Sequence, residues 1–485
     1  MSLSAHLTFN TKLSYWFGQL AEGLFNSIFG ILLLFYFNQV LGVSASLCGL
    51  ALLIGTLVDA FTDPMMGTIS DNCTSKLGRR HPFMYASALP AALCLWLLFV
   101  PPVQGEWQLF AWLTGFVVLA KLGMTLYHVP HLALGAELTQ DHDERTRIVA
   151  FRMLFGVAGW ILVTIGFATF FAATPEYANG QLNPANYPTF IALAAAGVFI
   201  SIVVTSLGTQ GIVPHLPMAQ SNTAKKRTQV FLDLRTAFRN DSFRWLIISF
   251  VSASIPFGIG GAFALYVNTF YWELTPSQLP VVMMAQFLAT LVGYAIAPAL
   301  GRGREKRTLL VWGVGLWAAA TVVPFLLRFA GIFPAPGSDA ALVLLVAFQL
   351  LAGAGIAQLV VAVSSMMADV ADEHALVDGR RNEGVFFGAF AVCTKATAGV
   401  GIAIGGVLLD VIAWPTGDTI RTAADVPPET LTYLAILAGP VVASAAVPFF
   451  YCIRHYRIDR KRHASIRQAL AQLPQRSGDT TTGAL

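Results

Sequence analysis

The stretch "LVDAFTDPMMG" (Leu57–Gly67) places two aspartates, Asp59 and Asp63, within an apolar run over residues 45–69. An ionised side chain in the middle of a bilayer is costly unless it is paired or faces water. Residues four apart lie about 40° from each other around a helix, so both carboxylates share one helix face. Two carboxylates so close together repel each other, and we expect one to be protonated or a cation to bridge them.

The composition around this stretch indicates a chain whose main solvent is lipid. Of its 485 residues, 56% are hydrophobic and only 12% are charged, against about a quarter charged in soluble domains. Continuous apolar runs of transmembrane length recur along the chain, unlike the alternating pattern of a membrane β-barrel. The sequence therefore predicts an all-α membrane protein with twelve transmembrane helices. The predicted spans cover residues 13–38, 45–69, 82–101, 108–137, 150–173, 188–209, 244–270, 278–299, 308–329, 341–368, 385–411 and 432–452.

Basic residues predict the orientation of these spans. With both termini placed inside, 26 of the 30 Lys and Arg residues fall on the inner side or at its edge. Cytoplasmic loops carry such an excess, so we expect a multi-pass protein of the cell inner membrane with both termini in the cytoplasm. The first apolar run has no small-residue cleavage site, and we expect a retained helix rather than a signal peptide.

Segments in the first half of the chain have similar counterparts in the second half. The segment "GAELTQDHDERTRIVAFR" (135–152) has a counterpart in "MADVADEHALVDGRRNEG" (367–384), and "SDNCTSKLGRRHP" (70–82) has one in "GRGREKRTLL" (301–310). Each pair is displaced by about 230 residues, which indicates an internal repeat. Two parallel six-span halves are typical of the major facilitator fold, in which the substrate site lies at the bilayer midplane between the halves.

The longest internal polar segment supplies the boundary between these halves. We therefore predict an N-terminal six-helix bundle over residues 1–209, a cytoplasmic central loop over 210–243, a C-terminal six-helix bundle over 244–453 and a cytoplasmic tail over 454–485.

Three further charges fall inside predicted spans, namely Glu22, Lys121 and Lys395. Together with the aspartate pair they make three carboxylates and two ammonium groups. If all five meet in one cavity, a bound Na⁺ or H⁺ would complete the charge balance. Lys121, Thr125 and His128 lie within about 60° on one helix face. Thr125 could add a neutral oxygen ligand, and Lys121 could neutralise a carboxylate when the cation is absent.

Plainer roles remain open for the same residues. Asp63 precedes a proline near the cytoplasmic end of its span, where a structural role is possible. Lys121 and Lys395 could form static ion pairs, Glu22 lies near a helix end, and His128 could be a hydrogen-bonded core histidine.

Four segments carry a resemblance to a known family. They are "KLSYWFGQLAEG" (12–23), "DAFTDPMMGTISDNCTSKLGRRHPF" (59–83), "YHVPHLALGAELTQDHDERTRIVAFR" (127–152) and "MMADVADEHALVDGRRNEGVFFGAFAVCTK" (366–395). These segments resemble the glycoside–pentoside–hexuronide:cation symporter family, and the lengths between them also fit. The pattern D-x-x-x-D-P-x-x-G followed by G-R-R/K-x-P is its most specific element.

The resemblance implies roles for individual residues. Asp59, Asp63 and Thr125 match the Na⁺ site of a galactoside carrier in this family, so we expect a cation-binding site there, with Na⁺ as the metal if transport is sodium-coupled. Arg152 matches an arginine at the sugar site, and Lys395 matches a lysine of the eleventh span. The candidate substrate-binding or coupling residues are Glu22, Lys121, Tyr127, His128, Arg152 and Lys395.

The galactoside-binding positions of that carrier differ in this chain. Its two aspartates fall at Gly23 and His128, and its tryptophan falls at Leu132. Sugar hydroxyls would lack the carboxylates that accept them. The resemblance therefore implies retained cation machinery, while the galactoside clamp is lost.

The sequence thus predicts a symporter that couples Na⁺ or H⁺ entry to uptake of a small solute, with a sugar or glycoside as the family default. The alternatives are a carrier of an organic anion or lysolipid-like amphiphile, an uncoupled uniporter, and a sensor or scaffold without transport. No enzyme motif is found, so we expect no enzyme and no cofactor besides the coupling ion. The expected partners are the solute, the cation and the bilayer, with no nucleic acid, and we expect a monomer.

Overall fold

A computed structural model describes residues 7–139, 141–177, 179–216, 235, 237–378, 383–417 and 420–472. Within these residues eleven helices are long and apolar enough to cross a membrane, and a twelfth qualifies as a pair bent by 41°. The twelve helices are α1 (Phe9–Ile31, continued by Leu33–Phe35), α2 (Ala45–Asp71), α3 (His81–Leu98), α4 (Glu106–Glu137), α5 (His142–Phe170), α6 (Asn186–Gln210), α7 (Asp241–Tyr266), α8 (Gln278–Leu300), α9 (Lys306–Phe329), α10 (Asp339–Asp378), α11 (Glu383–Val411) and α12 (Pro428–Ile436, continued to Cys452).

The predicted all-α membrane fold with twelve spans is therefore confirmed, and the main differences are in span length. Helix α5 begins at His142 rather than at residue 150, and α10 runs on to Asp378 rather than ending at residue 368. A short helix, α13 (Arg460–Gln472), follows α12. Parts of the predicted central loop (217–234 and 236) and of the predicted tail (473–485) lie outside the described residues.

Side-chain caps set where several helices begin. Asp141 accepts a hydrogen bond from the backbone N–H of Glu144 over 2.8 Å at the start of α5. Asn240 accepts one from the N–H of Phe243 over 2.8 Å at the start of α7. Short polar side chains at these positions satisfy N–H groups that have no partner within the helix.

The first helix of each half ends in the same irregular way. Helix α1 leads into a π-helical turn, Tyr36–Val40, and α7 leads into another, Val267–Tyr271. Both turns have five residues, and their starts are 231 residues apart. Because π-helical turns are rare, this correspondence agrees with the internal repeat predicted from the sequence.

Helix packing within and between the halves brings the charged residues together. Helix α1 packs against α5 and α6, α2 against α4, and α7 against α11, while α8 and α9 both pack against α10. The halves meet where α2 packs along the length of α11 and where α5 contacts α8. The charged face of α2 therefore lies between α4 and α11.

Glycines allow α2 and α11 to approach closely. A Cβ atom at Gly406 would lie 2.2 Å from the carbonyl oxygen of Ala45, and one at Gly49 would lie 2.9 Å from Cα of Ala403. Both distances are too short for any side chain, so only glycine fits. Small residues at such contacts are the usual means by which membrane helices pack backbone to backbone.

Replacing Gly406 by Ala should lower the stability of the protein by about 1–3 kcal/mol, since the new methyl group overpacks the α2–α11 contact. Gly388→Ala is a matched control on the same helix, because a Cβ there meets no atom within 4 Å. In an open helical position the same change should be neutral or stabilise by up to about 1 kcal/mol. Thermal unfolding in detergent measures both, and equal melting temperatures would contradict the close contact.

Candidate functional site

The aspartate pair lies on the face of α2 that is turned toward α4 and α11. Thr125 on α4 places its Oγ1 3.0 Å from Oδ1 of Asp59 and 2.9 Å from Oδ1 of Asp63, within hydrogen-bonding distance of both. A threonine hydroxyl has one hydrogen, so it can donate to only one carboxylate at a time. At the other carboxylate, the hydroxyl oxygen and a carboxylate oxygen face each other with no hydrogen between them. A nearby positive charge would offset the repulsion between these two oxygens.

That positive charge comes from the other half of the protein. Nζ of Lys395 on α11 lies 3.1 Å from Oδ2 of Asp59 and also donates a hydrogen bond to Oδ2 of Asp63. Nζ of Lys121 lies farther away, 3.6 Å from Oδ2 of Asp59, and sits 5.3 Å from the ring centroid of Phe29. The ammonium group of Lys395 thus bridges the two carboxylates, where the sequence predicts a cation.

The donor set around this ammonium group suits a small hard cation. Four carboxylate oxygens and one hydroxyl oxygen come from α2 and α4, and oxygen atoms are the ligands that hard cations prefer. A lysine ammonium is itself a compact cation on a flexible stem. A free cation and the Lys395 side chain therefore require the same oxygens, so the two compete for the site.

Glu22 on α1 forms a second polar cluster near the first. Its Oε2 lies 3.1 Å from Nδ1 of His128 on α4 and accepts a hydrogen bond from Gln19. Its Oε1 accepts a bond from Asn26 over 3.4 Å. The closest charged or ionisable partner of Glu22 is therefore His128 and not a lysine.

The five charges predicted inside the spans all line one cavity of about 410 Å³, which we call the ion cavity. Three carboxylates face two ammonium groups there, so the set carries one net negative charge when His128 is neutral. One monovalent cation or one proton would neutralise it, which matters because charges in a largely apolar surrounding are poorly screened. The charged residues of its wall are Glu22, Asp59, Asp63, Lys121 and Lys395.

A larger cavity of about 560 Å³, which we call the apolar cavity, adjoins the ion cavity and shares Phe29, Trp160 and Ala398 with it. Helices α1, α7, α10 and α11 provide most of its wall, which is almost entirely hydrocarbon. Its two hydroxyl groups, on Ser254 and Thr394, each donate to a backbone carbonyl of their own helix over 2.8 and 2.9 Å. The space between the halves is thus charged on one side and apolar on the other.

Two of the predicted substrate-binding residues, Tyr127 and Arg152, do not line the ion cavity. Tyr127 is fully buried, and its ring stacks on that of His131 with 5.1 Å between centroids. Arg152 is also buried and lies beside the phenol of Tyr15. Tyr127 thus makes a ring contact and Arg152 a polar contact with Tyr15, and the part of both residues in binding substrate stays a prediction.

An aspartate has no room at Gly23, the first position at which the resemblance places a galactoside-binding carboxylate. A Cβ at Gly23 would lie 2.1 Å from the carbonyl oxygen of Gly156 and 3.1 Å from Cα of Gly159, so α1 and α5 leave no room for an aspartate there. At the second clamp position, His128 contacts Glu22. At Gly23, the difference from the galactoside carrier therefore has a steric cause. At His128, the structure has a histidine–glutamate pair in place of the carrier's aspartate.

Sequence reasoning did not single out Asn26, Thr56 or Trp160, which also line the ion cavity. Asn26 follows Glu22 by four residues, and Thr56 precedes Asp59 by three. The helical spacing that places the aspartates on one face could have found both. Trp160 on α5 shows no such pattern, because apolar residues surround it in the sequence.

Contacts between the halves close the space at one end. The hydroxyl of Tyr266 donates to Oδ1 of Asn38 over 2.6 Å, and Nε1 of Trp414 donates to Oε1 of Gln39 over 2.7 Å. The carboxylate of Asp410 on α11 accepts hydrogen bonds from the first two backbone N–H groups of α2, over 2.9 and 2.8 Å. A carboxylate at a helix N-terminus is a favourable contact, and this one joins the two halves.

At the opposite end, where the basic loops lie, strong ion pairs run within each half. Arg80 lies 2.9 Å from Glu137 in the first half, and Lys306 lies 2.7 Å from Asp369 in the second. These residues belong to the segments that echo each other in the sequence. The repeat is therefore visible as equivalent ion pairs, and each of them stabilises one half by itself.

Comparison with known proteins agrees with this architecture. Residues 14–460 match the family described as MFS/sugar transport protein. The chain belongs to this family. It is thus a multi-span membrane transport protein, and the family resemblance seen in its sequence is confirmed.

Individual relatives extend the likeness over more than nine tenths of the chain. An uncharacterised symporter of Synechocystis sp. is 26% identical, across 97% of this chain and 98% of that protein. Sodium-dependent lysophosphatidylcholine symporter 1 of Gallus gallus is 24% identical, across 97% and 90%. The crystal structure of a point mutant of the nucleoside transporter NupG superposes with a TM-score of 0.64 at 15% identity, covering 92% of this chain and 100% of that one, which shows a shared fold.

Replacing Asp410 by Ala should loosen the closed end, because two N–H groups of α2 lose their acceptor. Cys48 lies one turn into α2, is fully buried, and is therefore a built-in reporter of opening. We expect its alkylation by a maleimide to become several-fold faster in the variant. Cys452 on α12 is the control and should react as in the wild type. Unchanged labelling of Cys48 would show that Asp410 does not hold this end closed.

Proposed function

We propose that the protein is a secondary active symporter that couples entry of Na⁺ or H⁺ to uptake of a small solute, with a sugar or glycoside as the expected solute. The family match, the charged cavity between the halves and the lysine that bridges them support this proposal. The two six-helix bundles, residues 1–209 and 244–453, rock about the central cavity to give alternating access. The protein works as a monomer in the cell inner membrane and needs no cofactor besides the coupling ion.

The observation that carries the proposal is the bridge from Lys395 to Asp59 and Asp63. It connects α11 of the second half to the candidate cation site on α2 of the first half. A cation that binds the carboxylates displaces the ammonium group and so weakens a contact between the halves. Cation occupancy and the arrangement of the halves are thereby linked, and this linkage is reciprocal between cation and solute.

The excess of basic residues in one set of loops supports an orientation for this state. If those loops lie in the cytoplasm, the end closed by Asp410, Tyr266 and Trp414 faces outward. The cavity then opens toward the cytoplasm, and Lys395 holds the carboxylates after the coupling ion has left. Re-entry of this ammonium group prevents two bare carboxylates from facing each other as the empty carrier returns.

A lysolipid-like or other amphiphilic solute is a second candidate, and the apolar cavity favours it. That cavity takes up about 560 Å³ beside the charged groups, which would suit a molecule with a polar head and an apolar body. The relative from Gallus gallus is named as a lysophosphatidylcholine symporter. Uptake assays with sugars, glycosides, organic acids and lysophosphatidylcholine separate the two candidates.

Replacing Asp59 by Asn should abolish accumulation of solute against its gradient, because the carboxylate pair loses the charge that binds the coupling ion. We expect the accumulation ratio in proteoliposomes with an imposed Na⁺ or pH gradient to fall to about 1, while solute exchange continues. Asp339→Asn, at the start of α10, is the control and should accumulate normally. Wild-type accumulation by the Asp59 variant would refute the coupling role.

Replacing Lys395 by Gln should lower the melting temperature in a buffer whose only salt is choline chloride. Among the described residues, the change leaves the carboxylate pair with Lys121 as its one nearby ammonium group. Adding Asp63→Asn to this variant should recover part of the loss, since it removes one of the repelling charges. Lys461→Gln on α13 is the control for loss of a lysine. A double variant no more stable than Lys395→Gln alone would show that Lys395 does not stabilise the protein by neutralising the carboxylate pair.

A further inference from the structure

A third cavity lies entirely within the second half and holds a different kind of chemistry. Its volume is about 220 Å³, enough for roughly seven water molecules by their share of liquid volume. We call it the amide cavity, because three side-chain amides line it from three elements: Asn268 in the π-helical turn after α7, Gln286 on α8 and Gln349 on α10. Among the residues that the structure describes, no charged side chain belongs to its wall.

The three amides are available for hydrogen bonding. Within the described part of the chain we find no protein partner for the side-chain amide of Asn268, Gln286 or Gln349. Each amide offers two N–H donors and a carbonyl acceptor. Polar groups without partners are costly in the interior of a membrane protein, so this cluster needs water or a ligand with many hydroxyl groups. Thr321 differs, because its hydroxyl already donates to the carbonyl oxygen of Trp317 over 2.9 Å.

Aromatic rings form the remaining wall of the amide cavity. Phe257 and Trp317 stack with 4.6 Å between ring centroids and an interplanar angle of 18°, and Trp272 lies 5.2 Å from Phe325. All four rings line the cavity. Flat apolar faces next to fixed donors and acceptors suit a ring whose faces carry C–H groups and whose edge carries hydroxyls. Such a ligand must be neutral, because a charged group would find no counter-charge in this wall.

The amide cavity adjoins the apolar cavity between the halves. Phe257 and Gly261 on α7 line both the amide cavity and the apolar cavity. A solute that extends past Phe257 would place one end among the amides while the rest lies against hydrocarbon. In the first half, by contrast, Gly23 leaves no room for the carboxylate of a sugar clamp.

We propose that the amide cavity binds the neutral hydroxylated ring of the transported solute through Asn268, Gln286 and Gln349. This inference rests on the proposed function and adds the location of the sugar-binding subsite. The two halves then divide their tasks, with the coupling cation held by the first half and the sugar ring by the second. A glycoside with an apolar aglycone would reach both the amide cavity and the apolar cavity.

The test uses the purified full-length protein and methyl β-glycosides of glucose, galactose and xylose as probes. Quenching of tryptophan fluorescence reports binding, since Trp272 and Trp317 line the cavity. At least one probe should bind the wild type. Gln349→Leu and Gln286→Leu should each weaken that binding at least tenfold, because ligand hydroxyls lose their partner. Gln358→Leu, which lies on α10 outside this wall, is the matched control and should bind normally.

A second measurement separates a binding role from a structural one. Without glycoside, Gln349→Leu should have a melting temperature equal to or above that of the wild type, because it removes an amide without a partner. A lower melting temperature, no binding of any probe by the wild type, or unchanged affinity in both leucine variants would each overturn the proposal. Loss of cation-driven accumulation is measured separately with Asp59→Asn, so a failure of the symport proposal is distinguishable from a failure of the amide subsite.

Discussion

Charge balance in a largely apolar surrounding is the constraint on which the rest of the site depends. Two carboxylates that share one face of α2 cannot both stay ionised in a largely apolar environment without a nearby positive charge. The structure meets this requirement with Lys395, which belongs to the other half of the molecule. The positive charge that the carboxylates of α2 require is thus supplied across the boundary between the two bundles. Any cation that binds the same carboxylates competes with this contact.

This contact in turn depends on how closely two backbones approach. The lysine stem can reach the carboxylates because α2 and α11 pack along much of their length, and near the site Gly399 allows this approach, since a Cβ there would lie 2.9 Å from Cβ of Thr56. The same helices also meet at the closed end, where Asp410 caps α2. Packing, capping and ion pairing therefore act on one helix pair, and a change of register between α2 and α11 would alter all three together.

The sequence predicted most of the fold, because continuous apolar runs and biased loop charges are strong local signals. It also predicted the carboxylate face, since a spacing of four places Asp59 and Asp63 together whatever surrounds them. It did not predict that Lys395 would lie closer than Lys121, because the adjacency of two distant spans depends on glycine contacts that periodicity does not show. The sequence likewise did not predict that Glu22 would pair with His128, because this contact depends on how α1 packs against α4.

The amide cavity was harder still to foresee. Asn268, Gln286 and Gln349 lie in three separate apolar segments, and a lone amide in such a segment carries no pattern. Only the packing of α7, α8 and α10 places them around one space. Residues that act together on one helix can thus be found from sequence, whereas residues that converge from several helices require the fold.

The hydrocarbon wall beside the charged groups also bears on how well a cell could keep its ion gradients. Narrow apolar spaces tend to lose their water, and a dry segment resists the passage of ions. The apolar cavity adjoins the carboxylates and has no hydroxyl that is free of its own helix. Its wall therefore gives water and ions few polar groups to hold them beside the carboxylates, which limits ion leakage along this side of the central space.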